Sequence, residues 1–361
     1  MNSLNRRHFL PVLPILLFLF APSVIYGQKF LYDVDFRFGL DNREYARMCY
    51  SPSKTIFGAI LAPKVGIGWG NGHSVYVGGD LKRYFGKTVP KYDVSLLAYY
   101  QYDGPSLDIT AGAFPRKRLA GEYPSAFLDD AVFFDTVMEG AAASYTGKTW
   151  KAEAALDWLG MVQGGTRERF AAYAYFRKDF SFFYGAVSFM MHHYAGSEKV
   201  SGVVDNLWLY PYIGFDFSGI TPLSVLDIRA GWIQTFQNDR VNETGFVNPG
   251  GFQGEFVIEK WGVGLSETIY LGKSLQPFFN STDRAGEVYG TSLYLGNTFY
   301  GTDSGIYNRL ELYYSPSIPK VSRWLSFKLS FAAHYDGYGW GWQQLACLVV
   351  NLNQNLFRKG K

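Results

Sequence analysis

Cysteine is nearly absent from this chain of 361 residues, with Cys49 and Cys347 its two thiols. Two cysteines cannot form a disulfide framework, and without CxxC or Cys/His spacing they do not suggest a zinc site. A single bridge between them is the most they could supply. Net charge is also lacking. Residues 1 to 27 hold Arg6 and Arg7 but no acid, so the remainder carries 32 of the 34 basic side chains against 31 acidic ones. No basic field recruits nucleic acid, and no acidic excess collects cations. The 15 prolines are too few for a low-complexity polymer. Beyond the amino terminus no run of about 18 apolar residues occurs, which excludes a transmembrane helix there. HExxH, P-loop and EF-hand patterns are missing. Gly66, Gly68, Gly70 and Gly72 fail the GxGxxG spacing, and no helix follows them. The expectation is no cofactor and no metal.

Aromatic residues and glycine are abundant: 27 Tyr, 30 Phe, 9 Trp and 40 Gly. That mixture suits short alternating strands with aromatic girdles better than packed helices. At the amino terminus, Arg6 and Arg7 precede an apolar run from Phe9 to Phe20, and Ala21, Pro22 and Ser23 lead to Gly27. This is the order of a secretory signal peptide, so residues 1 to 27 are expected to be removed on export. A membrane anchor is the alternative, but Pro11 and Pro14 interrupt a run too short to span. Asn5 to Leu10 has a faint twin-arginine character, yet a barrel must travel unfolded. No cysteine follows the cleavage region, which argues against a lipoprotein.

Period-two alternation then repeats along the chain. Phe30, Tyr32, Val34, Phe36, Phe38 and Leu40 share one face of a strand, with Asp33, Asp35, Arg37 and Gly39 on the other. Phe57 to Trp69 forms a second stripe, and Asn71-Gly72 supplies a tight turn. Further stripes run through Val94 to Tyr102, Leu107 to Ala113, Trp150 to Trp158, Leu207 to Phe217, Leu226 to Trp232, Leu310 to Tyr314 and Leu325 to Ala333. Tyr, Trp and Phe gather where stripes stop, as at Trp69, Tyr99, Tyr100, Trp158, Trp232 and Tyr335, and aromatic rings prefer a bilayer interface. Short connections at 71 to 72, 103 to 106, 146 to 149, 178 to 181, 218 to 222 and 316 to 320 alternate with longer polar segments. Those lie at about 41 to 54, 115 to 135, 195 to 204, 237 to 251 and 336 to 341.

The fold class expected is all-β: a single closed antiparallel transmembrane barrel of about 16 strands, with 14 as the alternative. Residues 28 to 361 form this one domain. Alternation slips between Lys260 and Trp261, which predicts a hairpin there and makes 272 to 305 the longest loop. Hydrocarbon cannot satisfy a bare sheet edge, so Gln344 to Leu352 should pair with Phe30 to Leu40. Such a chain resides in the outer membrane of a Gram-negative bacterium, surrounded by outer-membrane lipid and inserted by barrel-assembly machinery. Phe357 followed by Arg358-Lys359-Gly360-Lys361 departs from the usual terminal aromatic of such chains.

Several segments look familiar: Gly112-Ala113-Phe114-Pro115-Arg116, Gly121-Glu122-Tyr123-Pro124, Glu259-Lys260-Trp261-Gly262, Ile306-Tyr307-Asn308-Arg309 and Trp340-Gly341-Trp342-Gln343-Gln344. On these the chain resembles the porin-like outer-membrane barrels of Bacteroidota over nearly its whole mature length. The resemblance implies location and architecture, and carries over no substrate and no catalytic residue.

A ring of about 16 strands encloses an aqueous lumen. Asp33, Asp35, Arg37, Lys151, Glu153, Asp157, Asp227, Arg229, Arg309, Glu311 and Lys328 are assigned to its wall, where they either brace one another or set a transverse field that orients polar solutes. In 115 to 135, Arg116, Lys117 and Arg118 precede Glu122, Asp129, Asp130 and Asp135, a cationic cluster before an anionic one. Folded inward, this segment would be a pore constriction; otherwise it is a surface loop. In 272 to 305, Phe278, Phe279, Tyr289 and Tyr294 could stack sugar rings or pack into a compact lid. The histidines offer little to hydrolysis of lipids. His73-Ser74, His192, His193 and His334 lie in no local motif that aligns a base with a nucleophile. The sequence therefore reads as a non-enzymatic channel for small polar solutes, with a glycan-binding surface barrel as one alternative and a lipid-modifying enzyme as another.

Overall fold

The computed structural model describes residues 27 to 46, 51 to 86, 92 to 128, 135 to 199, 202 to 283, 286 to 354 and 356. They form one closed antiparallel sheet. Its first eight long strands are β1 (Lys29–Glu44), β2 (Lys54–Trp69), β3 (His73–Tyr84), β4 (Tyr92–Asp103), β5 (Leu107–Pro115), β6 (Val137–Thr146), β7 (Trp150–Gly160) and β8 (Arg169–Asp179). The second eight are β9 (Phe183–Tyr194), β10 (Val204–Asp216), β11 (Val225–Asp239), β12 (Gly250–Lys260), β13 (Val263–Gly272), β14 (Ile306–Tyr314), β15 (Leu325–Tyr335) and β16 (Trp340–Asn353). A two-residue strand, Phe246–Val247, adds a short pairing to β11. Each strand pairs with its neighbours in chain order, and β1 closes the ring on β16 from Asp33↔Asn353 to Glu44↔Trp342. The even count stands at 16, the hairpin at Lys260↔Val263 falls where the alternation slips, and closure joins the two segments expected.

Alternation sorts the side chains onto two faces. Val94 and Leu96 are 66% and 67% exposed while Leu97 between β4's outward positions is buried, an arrangement suited to a wall facing hydrocarbon. Two outward belts of rings bracket that wall. One, at the short-turn end, includes Trp69, Trp150, Phe182, Trp261 and Trp324; the other, at the long-loop end, includes Trp158, Trp232, Trp340 and Trp342. Tyr99 departs from the girdle expected of it. It faces inward and stacks on Tyr76, with ring centroids 5.2 Å apart.

Turn chemistry fixes the short end. Gly70 and Gly72 have φ of +55° and +105°, and a Cβ on Gly72 would lie 2.2 Å from the Asp103 carbonyl oxygen, so only glycine fits this hairpin beside β4. At the other end, β1 extends to Glu44 and β2 starts at Lys54, so the first long loop is shorter than 41 to 54.

Candidate functional site

Inside the barrel, the described part of loop 116–136 lies against the inner wall. Its opening residues, Arg116–Arg118, form one 3-10 turn after β5. Arg116, 5% exposed, bonds Asp157 of β7 at 2.7 Å and Asp135 at 2.8 Å. The two carboxylates hold its guanidinium above its ordinary pKa against the opposing effect of burial. Lys117 reaches Asp35 of β1, and Arg118 bonds Asp103 of β4 at 2.5 Å. Glu122 spans Arg177 of β8 and Arg229 of β11 at 3.2 and 2.9 Å. Glu153 of β7 accepts from the backbone N–H groups of Ala120 and Gly121 and from the Tyr123 hydroxyl. Burial, reinforced by Glu153, raises the Tyr123 pKa above the ordinary tyrosine value.

The expected filter residues thus meet inside the lumen, with a different charge arrangement. The cations do not form a free cluster: Arg116 bonds Asp135 of its own loop and Asp157 of β7, and acids of β1 and β4 neutralise Lys117 and Arg118. Asp129 and Asp130 lie outside the described residues. The wall residues Asp33, Asp35, Arg37, Lys151, Glu153, Asp157, Asp227, Arg229, Arg309, Glu311 and Lys328 hold inward positions. Most brace one another: Lys64 pairs with Asp33, Arg37 with Asp35, and Arg309 and Lys328 with Glu311. Lys151 donates to the Ala120 carbonyl, and Tyr184 to Asp227.

The described part of loop 273–305 packs into the long-loop end. Phe278, Tyr289 and Tyr294 are buried, and Phe279 stacks on Tyr294 with centroids 6.4 Å apart. The Tyr294 hydroxyl donates to Gln237 of β11 at 2.9 Å, while the Leu293 carbonyl accepts from Asn206. These rings occupy one another and the wall rather than presenting free faces. Asn297 N–H donates to the Ser125 carbonyl at 2.7 Å, joining the two inward loops. A Cβ on Gly296 would lie 1.9 Å from the Ala126 carbonyl oxygen, so this crossing requires glycine.

The histidines point in different directions. His73 faces outward and bonds the Tyr100 hydroxyl at 2.7 Å, whereas Ser74 faces inward toward Gln101. His192 is buried against the Leu293 carbonyl, and His193 stacks on Phe170 with centroids 4.7 Å apart. His334 bonds Tyr307 at 3.0 Å and Gln343 at 3.2 Å. Of the two cysteines, Cys347 is free on β16; Cys49 lies outside the described residues.

A polar cluster that sequence reasoning missed lies on the outward face, at the long-loop ends of β1, β2 and β16. Asn42 Nδ2 donates to Glu44 Oε1 at 3.0 Å and to Gln344 Oε1 at 2.5 Å, and the Thr55 hydroxyl donates to Asn42 Oδ1 at 2.7 Å. Beside them a cleft of about 640 Å³ is lined by Glu44, Ala46, Trp340 and Trp342. Asn42 and Glu44 continue the outward stripe of Leu40, so the signal was present: polar residues in phase with a greasy face. An outward carboxylate can take a proton from water, and amide N–H donors beside it can stabilise charge developing on a carbonyl oxygen.

Comparison with known proteins identifies the family. The family model for lipid A 3'-O-deacylase-type proteins matches residues 31–357. The chain belongs to this lipid A 3'-O-deacylase-type family. That membership overturns the non-enzymatic reading of the sequence, for the family is one of enzymes. No curated protein matches the chain. Among solved structures, the deacylase-type barrel is similar to OccK8 (OprE) of Pseudomonas aeruginosa, at 10% identity over 90% of this chain and 98% of that one, with a TM-score of 0.50. It is likewise similar to OccK11 (OpdR) of the same organism, at 10% identity over 90% and 96%, with a TM-score of 0.50. At such identity the likeness establishes the outer-membrane porin fold. It does not carry the Bacteroidota assignment.

Proposed function

We propose that this protein hydrolyses an acyl ester of a glycolipid in the outer leaflet of a Gram-negative outer membrane, in the cleft beside Asn42, Glu44, Thr55 and Gln344. The family match over residues 31–357 carries the reaction class. The placement rests on the hydrogen-bonded cluster of four polar residues on the outward face, next to a cleft at the girdle where ester linkages of an outer-leaflet lipid would lie. Glu44 accepts the proton of an attacking water and Gln344 Nε2 donates to the developing oxyanion. The Asn42 bridge holds both groups in place, while Trp340 and Trp342 seat the boundary between sugar and acyl chain. The products are a free fatty acid and the deacylated lipid. The chain reaches this membrane by export behind residues 1 to 27, and the familiar segments favour a Bacteroidota source.

Purified protein mixed with lipopolysaccharide in detergent micelles should release fatty acid, read by mass spectrometry. Glu44→Gln should slow release by about 10²-fold or more, the scale of a lost general base. Undiminished release by Glu44→Gln would remove the cleft from the mechanism, and a wild-type protein that releases nothing would end the hydrolytic reading.

The inward position of the described part of loop 116–136 in a porin-type fold favours a second reading, passive passage of small polar solutes along the lumen. Planar bilayers should then show conductance steps whose ion preference changes on neutralising Lys117 and Arg118. A folded protein that remains silent in the bilayer would exclude this reading.

A further inference from the structure

A cavity of about 420 Å³ opens at the long-loop end between the described parts of loops 161–168, 195–203 and 273–305, around the barrel from the rim cleft. Its volume falls in the range of small-ligand sites. Arg167, Arg169 and Lys199 line it, with Asp283, Glu287 and Tyr289 from the long loop and Tyr194 from the end of β9.

The cavity's two arginines differ from most others in their charge pairing. Eight other arginines, from Arg37 to Arg309, each pair with a carboxylate. Among the described residues Arg167 and Arg169 pair with none. Arg167 donates to the Ala195 carbonyl at 3.3 Å and Arg169 to the Leu159 carbonyl at 3.2 Å. A guanidinium has five N–H donors, so one such bond leaves each with most of its donors unused.

Arg167 is also held in place. Tyr194 and Tyr289 stack with centroids 5.8 Å apart, and the Arg167 guanidinium sits 5.1 and 5.3 Å from their ring centroids. A guanidinium fixed over aromatic faces loses little freedom on gripping an anion, and its planar fork suits phosphate oxygens. Glu287 and the hydroxyls of Thr166 and Ser292 on the same walls can bond sugar hydroxyls.

We infer that this cavity is a binding site for a phosphorylated sugar, held by Arg167 and Arg169. The phosphate bridges the two guanidinium groups, Lys199 adds charge at the opening, and the sugar meets the polar wall. The site is separate from ester hydrolysis at the rim, and either activity can exist without the other.

The test is calorimetric titration of the full chain in neutral detergent with glucose 6-phosphate and, as the neutral comparison, glucose. Glucose 6-phosphate should bind and glucose should bind at least about tenfold more weakly, the scale of a lost charge-assisted hydrogen bond. Arg167→Gln and Arg169→Gln should each weaken glucose 6-phosphate by about tenfold, while Arg240→Gln, whose partner is Asp205, should not. Equal affinity for the two sugars overturns the site even if neither arginine variant folds, as does wild-type affinity in both folded variants. A parallel titration in nanodiscs containing phosphorylated lipopolysaccharide separates the sources of the ligand. Competition there assigns the occupant to a glycolipid headgroup, and unchanged binding assigns it to a free phosphosugar.

Discussion

Replacing Arg116 by Met tests the physical basis of the inward loop. The substitution keeps much of the aliphatic bulk but removes the guanidinium, and its cost depends on what it strands. Asp135 is 64% exposed, so its half of the interaction is solvated and worth about 1 kcal/mol or less. Asp157 is 2% exposed, and after the substitution its one remaining bond is that accepted from the Glu139 N–H at 3.1 Å. Leaving a buried carboxylate uncompensated costs about 3–5 kcal/mol. The loss should therefore come almost entirely from Asp157, and adding Asp157→Asn to Arg116→Met should restore much of it, because an amide needs no counter-charge. Equilibrium urea unfolding in lipid vesicles, followed by tryptophan fluorescence, gives the four stabilities of the double-mutant cycle. A loss of less than about 1 kcal/mol in Arg116→Met, or simple additivity of the two substitutions, would mean that Asp157 does not depend on this guanidinium.

Gly72→Ala should destabilise the barrel by about 1–3 kcal/mol in the same unfolding assay, since it combines positive φ with a Cβ at 2.2 Å from the Asp103 carbonyl oxygen. Tyr289 has its pKa raised by burial and by its bond to Asp239, so the unfolded tyrosine loses its proton first. The stability it contributes should be intact below its ordinary pKa of about 10 and fall as pH rises past that value. Protease cleavage of loop 273–305 should increase over that alkaline range in the wild type and change less with pH in Tyr289→Phe. His73→Ala and His193→Ala should release fatty acid from lipopolysaccharide as fast as the wild type, because both rings face the aromatic belts away from the polar cleft. A large loss in either variant would move the catalytic centre.

Much of the barrel was legible because a strand's side-chain period is two, which repeated stripes display directly. The hairpin at Lys260 and Val263 could be located because the alternation slips there. The polar cleft was hidden differently. Asn42 and Gln344 are 302 residues apart, and assigning 41 to 54 to a loop removed Asn42 and Glu44 from the outward stripe on which they lie. Enzymatic character escaped because it follows from no local pattern: adjacent histidines such as His192 and His193 face opposite sides of one strand.

By itself the sequence determined that side chains alternate between the two faces of each strand, since that period is a property of each strand alone. It also determined that the strands must close, because a hydrocarbon solvent leaves no alternative for an unpaired edge. Tertiary structure decided which charges meet. Lys117 and Asp35, or Arg116 and Asp157, become partners through the placement of a loop across the lumen. Ion pairing depends on a few ångströms of separation, and no periodicity along the chain encodes that distance.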